Sequence, residues 1–167
     1  MEKPARLVAD ELKKLGIKYV VTLPDNWIKE LLEIISQDGN LTKVPVARED
    51  EGVGICAGLY LAGQDSVLLI QNAGLLLCCN ALKSLALKYQ IPVFMLISNR
   101  GALDEFAPYH IAVGQGLVTA PVLDALKIPY RTVEHPSEVG RIAEAHRFCK
   151  VSRWPVAVIL GKGALVE

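Results

Sequence analysis

Neither sign of charge is in excess in this sequence. Its 18 lysines and arginines match 18 aspartates and glutamates, and no basic run breaks the balance, so a nucleic-acid face or a polybasic membrane anchor has no electrostatic basis. Long apolar runs are missing too: no segment approaches the ~20 residues that a membrane span requires. Residues 1–6 are charged, with no signal-type apolar segment behind them. The expectation is a soluble, cytoplasmic protein with no nucleic-acid and no membrane partner. Cysteines are few, four at positions 56, 78, 79 and 149. They make no C-x-x-C pair, and the adjacency of Cys78 and Cys79 suits neither a disulfide framework nor a zinc site, so they read as reduced core residues. A phosphate-binding G-x-x-x-x-G-K-[ST], a nucleophile elbow and a cluster of metal ligands are also absent from the sequence. No metal is expected on this chain.

What is present is apolar residue in quantity. Hydrophobic residues make up 51% of the 167, enough to bury one core, and the length suits a single domain over residues 1–167. The apolar surplus leaves surface for an oligomer to cover. Periodicity predicts a helix over residues 5–15, stopped by Gly16, then a β-branched strand over 18–23. Pro24 and Asp25 introduce a helix over 27–35, and a short strand follows at 42–47. An acidic first turn at 48–51 opens a glycine-bearing helical segment to 63. Strands at 66–70 and 92–97 flank a largely apolar helix at 74–89; residues 99–112 have no clear period. A helix to 126, a strand at 130–133, a helix at 136–151 and a strand at 155–160 complete the chain. The near-continuous apolarity of the strands, alternating with helices, predicts an α/β fold with an open, mostly parallel six-stranded sheet and helices on both faces.

In such a sheet, ligands gather at the carboxyl ends of the strands. That directs attention to the loops at 23–26, 47–51, 71–75 and 98–116. Glu49 stands at a strand-to-helix junction with a nearly uncharged helix behind it, while Asp50 and Glu51 read as carboxylates favoured by the helix dipole. Gly52, Gly54 and Gly58 superficially suggest a dinucleotide turn, but the preceding acidic residues would repel a pyrophosphate. Gly54 and Gly58 instead offer a smooth face for the approach of another backbone. Gln71, Asn72, Ala73 and Gly74 either bind a polar ligand or cap the next helix, and both readings stay open. The loop from Ser98 to His110 either pairs an arginine with a substrate anion or is a solvated surface. His135 and His146 read as structural.

These residues together resemble a family. Glu49, with Gly54 five residues on, Gly58 nine on, and then Tyr60, is similar to the helix that holds the aminopyrimidine ring in thiamine diphosphate-dependent 2-keto acid decarboxylases. Leu23-Pro24-Asp25 resembles that family's first loop, and Gln71-Asn72-Ala73-Gly74 with Asn80 its Gln-Asn-Ser-Gly turn. Ser98-Asn99-Arg100-Gly101 resembles the Arg-Gly loop after the fourth strand. Within the family, the alpha subunits of sulfopyruvate decarboxylases are most similar, with phosphonopyruvate decarboxylases next. The resemblance spans residues 3–165, with departures at Ala73 for serine, at Leu75–Leu77 for smaller and more polar residues, and at Asn99 for histidine. Aligned on Gly58 it selects Glu49; aligned on the Glu-Gly pair it selects Glu51.

The resemblance implies a thiamine diphosphate-binding subunit, in which a glutamic acid shares a proton with the aminopyrimidine ring and the cofactor serves as electron sink for loss of carbon dioxide. Burial must then outweigh the helix N-terminus in keeping a proton on Glu49. It implies Glu49 as catalytic, with Pro24, Asp25, Glu49, Gln71, Asn72 and Gly74 toward the cofactor and Arg100 and His110 toward a short anionic 2-keto acid. The family's Gly-Asp-Gly segment for diphosphate and Mg2+ does not occur here. A beta subunit carrying the diphosphate and Mg2+ domain is therefore implied, with self-association through the Gly54/Gly58 helix. Within the class, phosphonopyruvate, benzoylformate or another 2-keto acid is the alternative substrate. Outside it, the alternative is a non-catalytic α/β binding or scaffolding domain.

Overall fold

The computed structural model describes residues 3–101 and 115–166. Helix α1 (Pro4–Lys14) opens on a proline, whose missing N–H costs nothing at the first helical position, and carries Lys13 and Lys14 at the negative end of its dipole. It buries Ala5, Val8, Ala9 and Leu12. Gly16, at φ +74°, takes the left-handed conformation that turns the chain into β1 (Tyr19–Thr22). There follow α2 (Lys29–Gln37), β2 (Thr42–Pro45), α3 (Glu49–Leu61), β3 (Ser66–Gln71), α4 (Asn72–Ala81), β4 (Phe94–Ser98), α5 (Gln115–Ala125), β5 (Tyr130–Val133), α6 (Gly140–Ser152) and β6 (Val156–Leu160). Helix α4 runs on as a π-helical segment, Leu82–Leu87, that turns Leu82, Ala86 and Leu87 inward.

Every strand pairing is parallel, in the order β2-β1-β3-β4-β6-β5. Burial follows position in that order. β4 and β6 are buried at every residue and β3 at its four middle residues, whereas the edge strands β2 and β5 stay largely accessible. Alternation along the strands sends Leu69, Leu96 and Val158 to one face, against α1, α2 and α6. Leu68, Ile70, Met95, Ile97 and Ile159 go to the other, where Val53 of α3, Leu75 and Cys78 of α4 and Leu123 of α5 meet them. The chain leaves β1 toward β2 and returns to its opposite side for β3. The carboxyl ends of β1, β3 and β4 therefore flank a reversal of strand order, the usual place for a ligand in an open parallel sheet.

His146 of α6 has the structural role expected of it, nearly buried with its ring edge-on to Phe94 at 5.1 Å. Burial holds its pKa below the ordinary 6.5. The unfolded chain thus takes up this proton at a higher pH than the folded one, so stability is lost as pH falls below about 6.5. Urea midpoints measured at pH 7.5 and 5.5 should diverge in the parent protein and converge in His146→Phe. An unchanged divergence would place the titration elsewhere.

Candidate active site

Three adjacent acids open α3, and the fold gives each a different task. Asp50 takes a bidentate pair from Arg48, through Nε and Nη2 at 3.0 Å each. Glu51 reaches back to accept the N–H groups of Ala47 (3.1 Å) and Arg48 (3.3 Å), satisfying donors that no Ser, Thr, Asn or Asp side chain caps at this helix start. Glu49 turns inward and is 9% exposed. Its carboxyl group lies over Gly74: a Cβ built there would stand 2.5 Å from Glu49 Cδ and Oε1. Glycine at 74 thus leaves room for the buried acid in this position, and a side chain there would displace the end of Glu49. At Gly52 a Cβ would meet Leu68 Cδ1 at 2.5 Å and Val21 Cγ1 at 3.3 Å, so glycine there lets α3 settle close on the sheet. Gly54 and Gly58 are open, and with Leu61 they make an exposed stripe on α3; Leu76 and Leu77 are exposed on α4, the helix that packs against α3.

The amides at the start of α4 do not cap it. Gln71, the N-cap residue, makes no side-chain cap bond. Asn72 is 3% exposed and turns its Nδ2 toward the loop after β4, donating to the Arg100 carbonyl at 2.8 Å, with Asn99 Oδ1 at 3.3 Å and Thr119 Oγ1 at 3.2 Å. Thr119 donates to the same Asn99 Oδ1 at 2.9 Å. Asn72 Oδ1 is buried without a hydrogen-bond partner, a state that ordinarily costs about 1–3 kcal/mol.

A third element comes from the loop after β1. Asp25, with its side chain 7% exposed, binds Arg100 Nη1 at 2.8 Å and accepts from the Trp27 N–H (3.1 Å) and Ser98 Oγ (3.4 Å). The Arg100 guanidinium also lies over the Trp27 ring, 5.7 Å from its centroid. This ion pair ties the loops after β1 and β4 together. It also means that the charge expected to meet a substrate anion already faces a carboxylate. Pro24, exposed, borders an open groove of about 460 Å³ with Asp25, Lys29 and Lys43, whose lining does not include Glu49, Asn72 or Gly74. His110 lies outside the described residues.

The structure therefore gathers Glu49 with Gly74, and Asp25 with Arg100 and Ser98, while Asn72 joins the same loops through Asn99. Sequence reasoning missed Thr119, which no motif announces because its place depends on how α5 returns to the sheet. The cysteines are free, and burial pushes the thiols of Cys56 and Cys149 up to about 12. Burial, with the Glu49 and Asp50 carboxylates nearby, raises that of Cys78 further. Cys56, Cys78 and Cys149 are unreactive packing groups near neutral pH. Among the described residues no group of His, Cys, Asp and Glu is arranged to hold a metal, and no helix is long and apolar enough to cross a membrane.

Residues 3–106 match the thiamine pyrophosphate enzymes, N-terminal TPP-binding domain. The chain belongs to this family. It is 36% identical over 146 residues to a protein of Methanococcus maripaludis named sulfopyruvate decarboxylase subunit alpha, covering 87% of this chain and 86% of that one. A protein of the same name from Methanocaldococcus jannaschii is 35% identical over 153 residues, 91% and 89% of the two chains. A sulfopyruvate decarboxylase of Methanosarcina acetivorans is 37% identical over 130 residues, 78% of this chain but 33% of its own length. In this TPP-binding domain, two features of the sheet edge fit an aminopyrimidine ring: a buried acid on a glycine floor, able to exchange a proton with a ring nitrogen, and an orphaned buried acceptor at Asn72.

Proposed function

We propose that this chain is the alpha subunit of a thiamine diphosphate-dependent decarboxylase whose substrate is a short anionic 2-keto acid, sulfopyruvate, which gives sulfoacetaldehyde and carbon dioxide. The observation that carries the reading is Glu49, a carboxylic acid buried at a helix start with its side chain lying over Gly74. The names of the relatives supply the substrate. When bound, thiamine diphosphate supplies the electron sink for the carboxylate's departure. Glu49 holds or releases a proton at the ring nitrogen facing it. Gly74 gives that carboxyl its room, Gln71 and Asn72 border the ring, and Pro24 and Asp25 shape the adjoining loop. Arg100 fixes that loop through Asp25, and the assignment of His110 to the substrate rests on the family resemblance alone.

Diphosphate and Mg2+ belong to a beta subunit, consistent with a relative in which this chain's match is a third of a longer polypeptide. The exposed stripe of Gly54, Gly58 and Leu61, with Leu76 and Leu77, is the surface on which subunits meet, including a second copy of this chain.

The test is coexpression with the adjacent-gene candidate for the beta subunit, followed by assay on sulfopyruvate, phosphonopyruvate, benzoylformate and pyruvate. Decarboxylation of sulfopyruvate by the pair, with none by this chain alone, is expected. Turnover by the isolated chain, or none by the pair on any of the four acids, would overturn the reading. In the same preparation Gly58→Leu should shift the sedimenting species toward smaller assemblies.

A further inference from the structure

Asn72 stands out in the described structure because its two halves are treated so differently. A backbone carbonyl accepts and cannot donate, so the 2.8 Å contact with the Arg100 carbonyl fixes which end of the amide is Nδ2. The second Nδ2 hydrogen is shared between Asn99 Oδ1 and Thr119 Oγ1, 3.3 and 3.2 Å away. Neither acceptor is free to swing. Asn99 Oδ1 is held by the Thr119 hydroxyl at 2.9 Å, and the Asn99 backbone N–H is tied to the Leu160 carbonyl of β6 at 2.9 Å. Three elements that are distant in sequence thus lock one amide in one rotamer. The locked orientation leaves Oδ1, an atom that can only accept, buried and unpartnered.

Such an atom does not read a substrate anion, because two acceptors repel. It suits an N–H donor. We propose that Asn72 Oδ1 accepts a hydrogen bond from the amino group of the cofactor's aminopyrimidine ring, and that Thr119 and Asn99 are positioning residues that hold the amide in the rotamer which keeps this oxygen without a protein partner. The inference rests on the cofactor reading above, gives Asn72 a specific ring atom within it, and extends it to Asn99 and Thr119. Thr119 enters the site from α5, beyond the segment that the family match covers. Asparagine at 99, one of the departures from the family pattern, gains a task from this arrangement: its carbonyl end anchors both the hydroxyl and the amide.

The experiment is a cycle between one side chain and one ligand group. In the complex assembled with the beta subunit, the affinity for thiamine diphosphate is measured by equilibrium dialysis beside that for an analogue whose ring amino group is replaced by hydrogen. Thr119→Val, matched in volume, should weaken thiamine diphosphate about five- to tenfold, the scale of one neutral hydrogen bond, and leave the analogue within about twofold. Thr119→Ser should restore the parent affinity. Asn99→Ala removes the other anchor and should show the same selectivity, which covers the case of Thr119→Val failing to assemble. An equal loss on both ligands would reduce these residues to packing and overturn the inference, as would no loss on either. Failure of the unmodified complex to bind thiamine diphosphate would instead remove the parent reading, and this one with it.

Discussion

Glu49→Gln is expected to leave folding and subunit assembly intact while lowering kcat about 10²–10⁴-fold, the usual contribution of a positioned proton-transfer group. Glutamine keeps the volume that rests on Gly74, so packing against that glycine survives. What it loses is the proton that the proposed reading has this acid exchange with the cofactor ring. The neighbouring acids provide the control. Glu51→Gln removes a carboxylate that holds the Ala47 and Arg48 N–H groups, and should cost about 1 kcal/mol of stability with activity changed only a few-fold. Asp50 spends its charge on an exposed pair with Arg48, and its replacement by asparagine should be close to silent. Thermal melts and single-substrate kinetics on the three variants would settle which register of the acidic triplet is catalytic. Parent-level activity in Glu49→Gln, or a collapse confined to Glu51→Gln, would overturn the assignment to Glu49.

The strands were readable because burial on both faces removes the need for alternation. The runs at 67–70, 94–97 and 156–160 are apolar throughout, and they form three of the four interior strands of the sheet. Helix starts were less readable. The apolar helix expected from 74 begins at Asn72, and its far end widens into a π-helix that no periodicity forecasts. The helix expected from 136 begins as a 3-10 turn, Pro136–Glu138, and becomes α6 at Gly140. In each case a local hydrogen-bond choice, made by tertiary contact, set the boundary. Strand order could not be read at all, since β6 inserts between β4 and β5 through contacts far apart in sequence. The site divides the same way. Glu49 and Gly74 were visible as residue types at strand ends, but their contact is not a property of spacing. Asn72 reads from sequence as either cap or ligand group, because a sequence does not say where an amide points. Thr119 sits buried in a helix with Pro121 inside it and no motif around it.

Arg100 carries the second large effect, and the structure changes what it should be. As a group reading the substrate's anion, it would lose activity on a sulfonate or phosphonate and spare pyruvate when truncated. As built, its guanidinium meets Asp25 at 2.8 Å with the two side chains 14% and 7% exposed, and it lies over Trp27. Removing it leaves a nearly buried carboxylate with the Trp27 N–H and Ser98 hydroxyl in place of a cation. Breaking a buried pair from one side costs about 3–5 kcal/mol, and residual access to water reduces that here to about 2–4 kcal/mol. Arg100→Ala should therefore lower the urea midpoint substantially and depress kcat/KM on charged and uncharged keto acids alike. Adding Asp25→Asn to it removes the stranded charge and should recover about half of the lost stability, a coupling that a solvated surface arginine would not show. Recovery of stability with an equal kinetic defect on both substrates identifies a loop held by its ion pair. A loss confined to the anionic substrate, with no coupling to Asp25, would return Arg100 to the substrate.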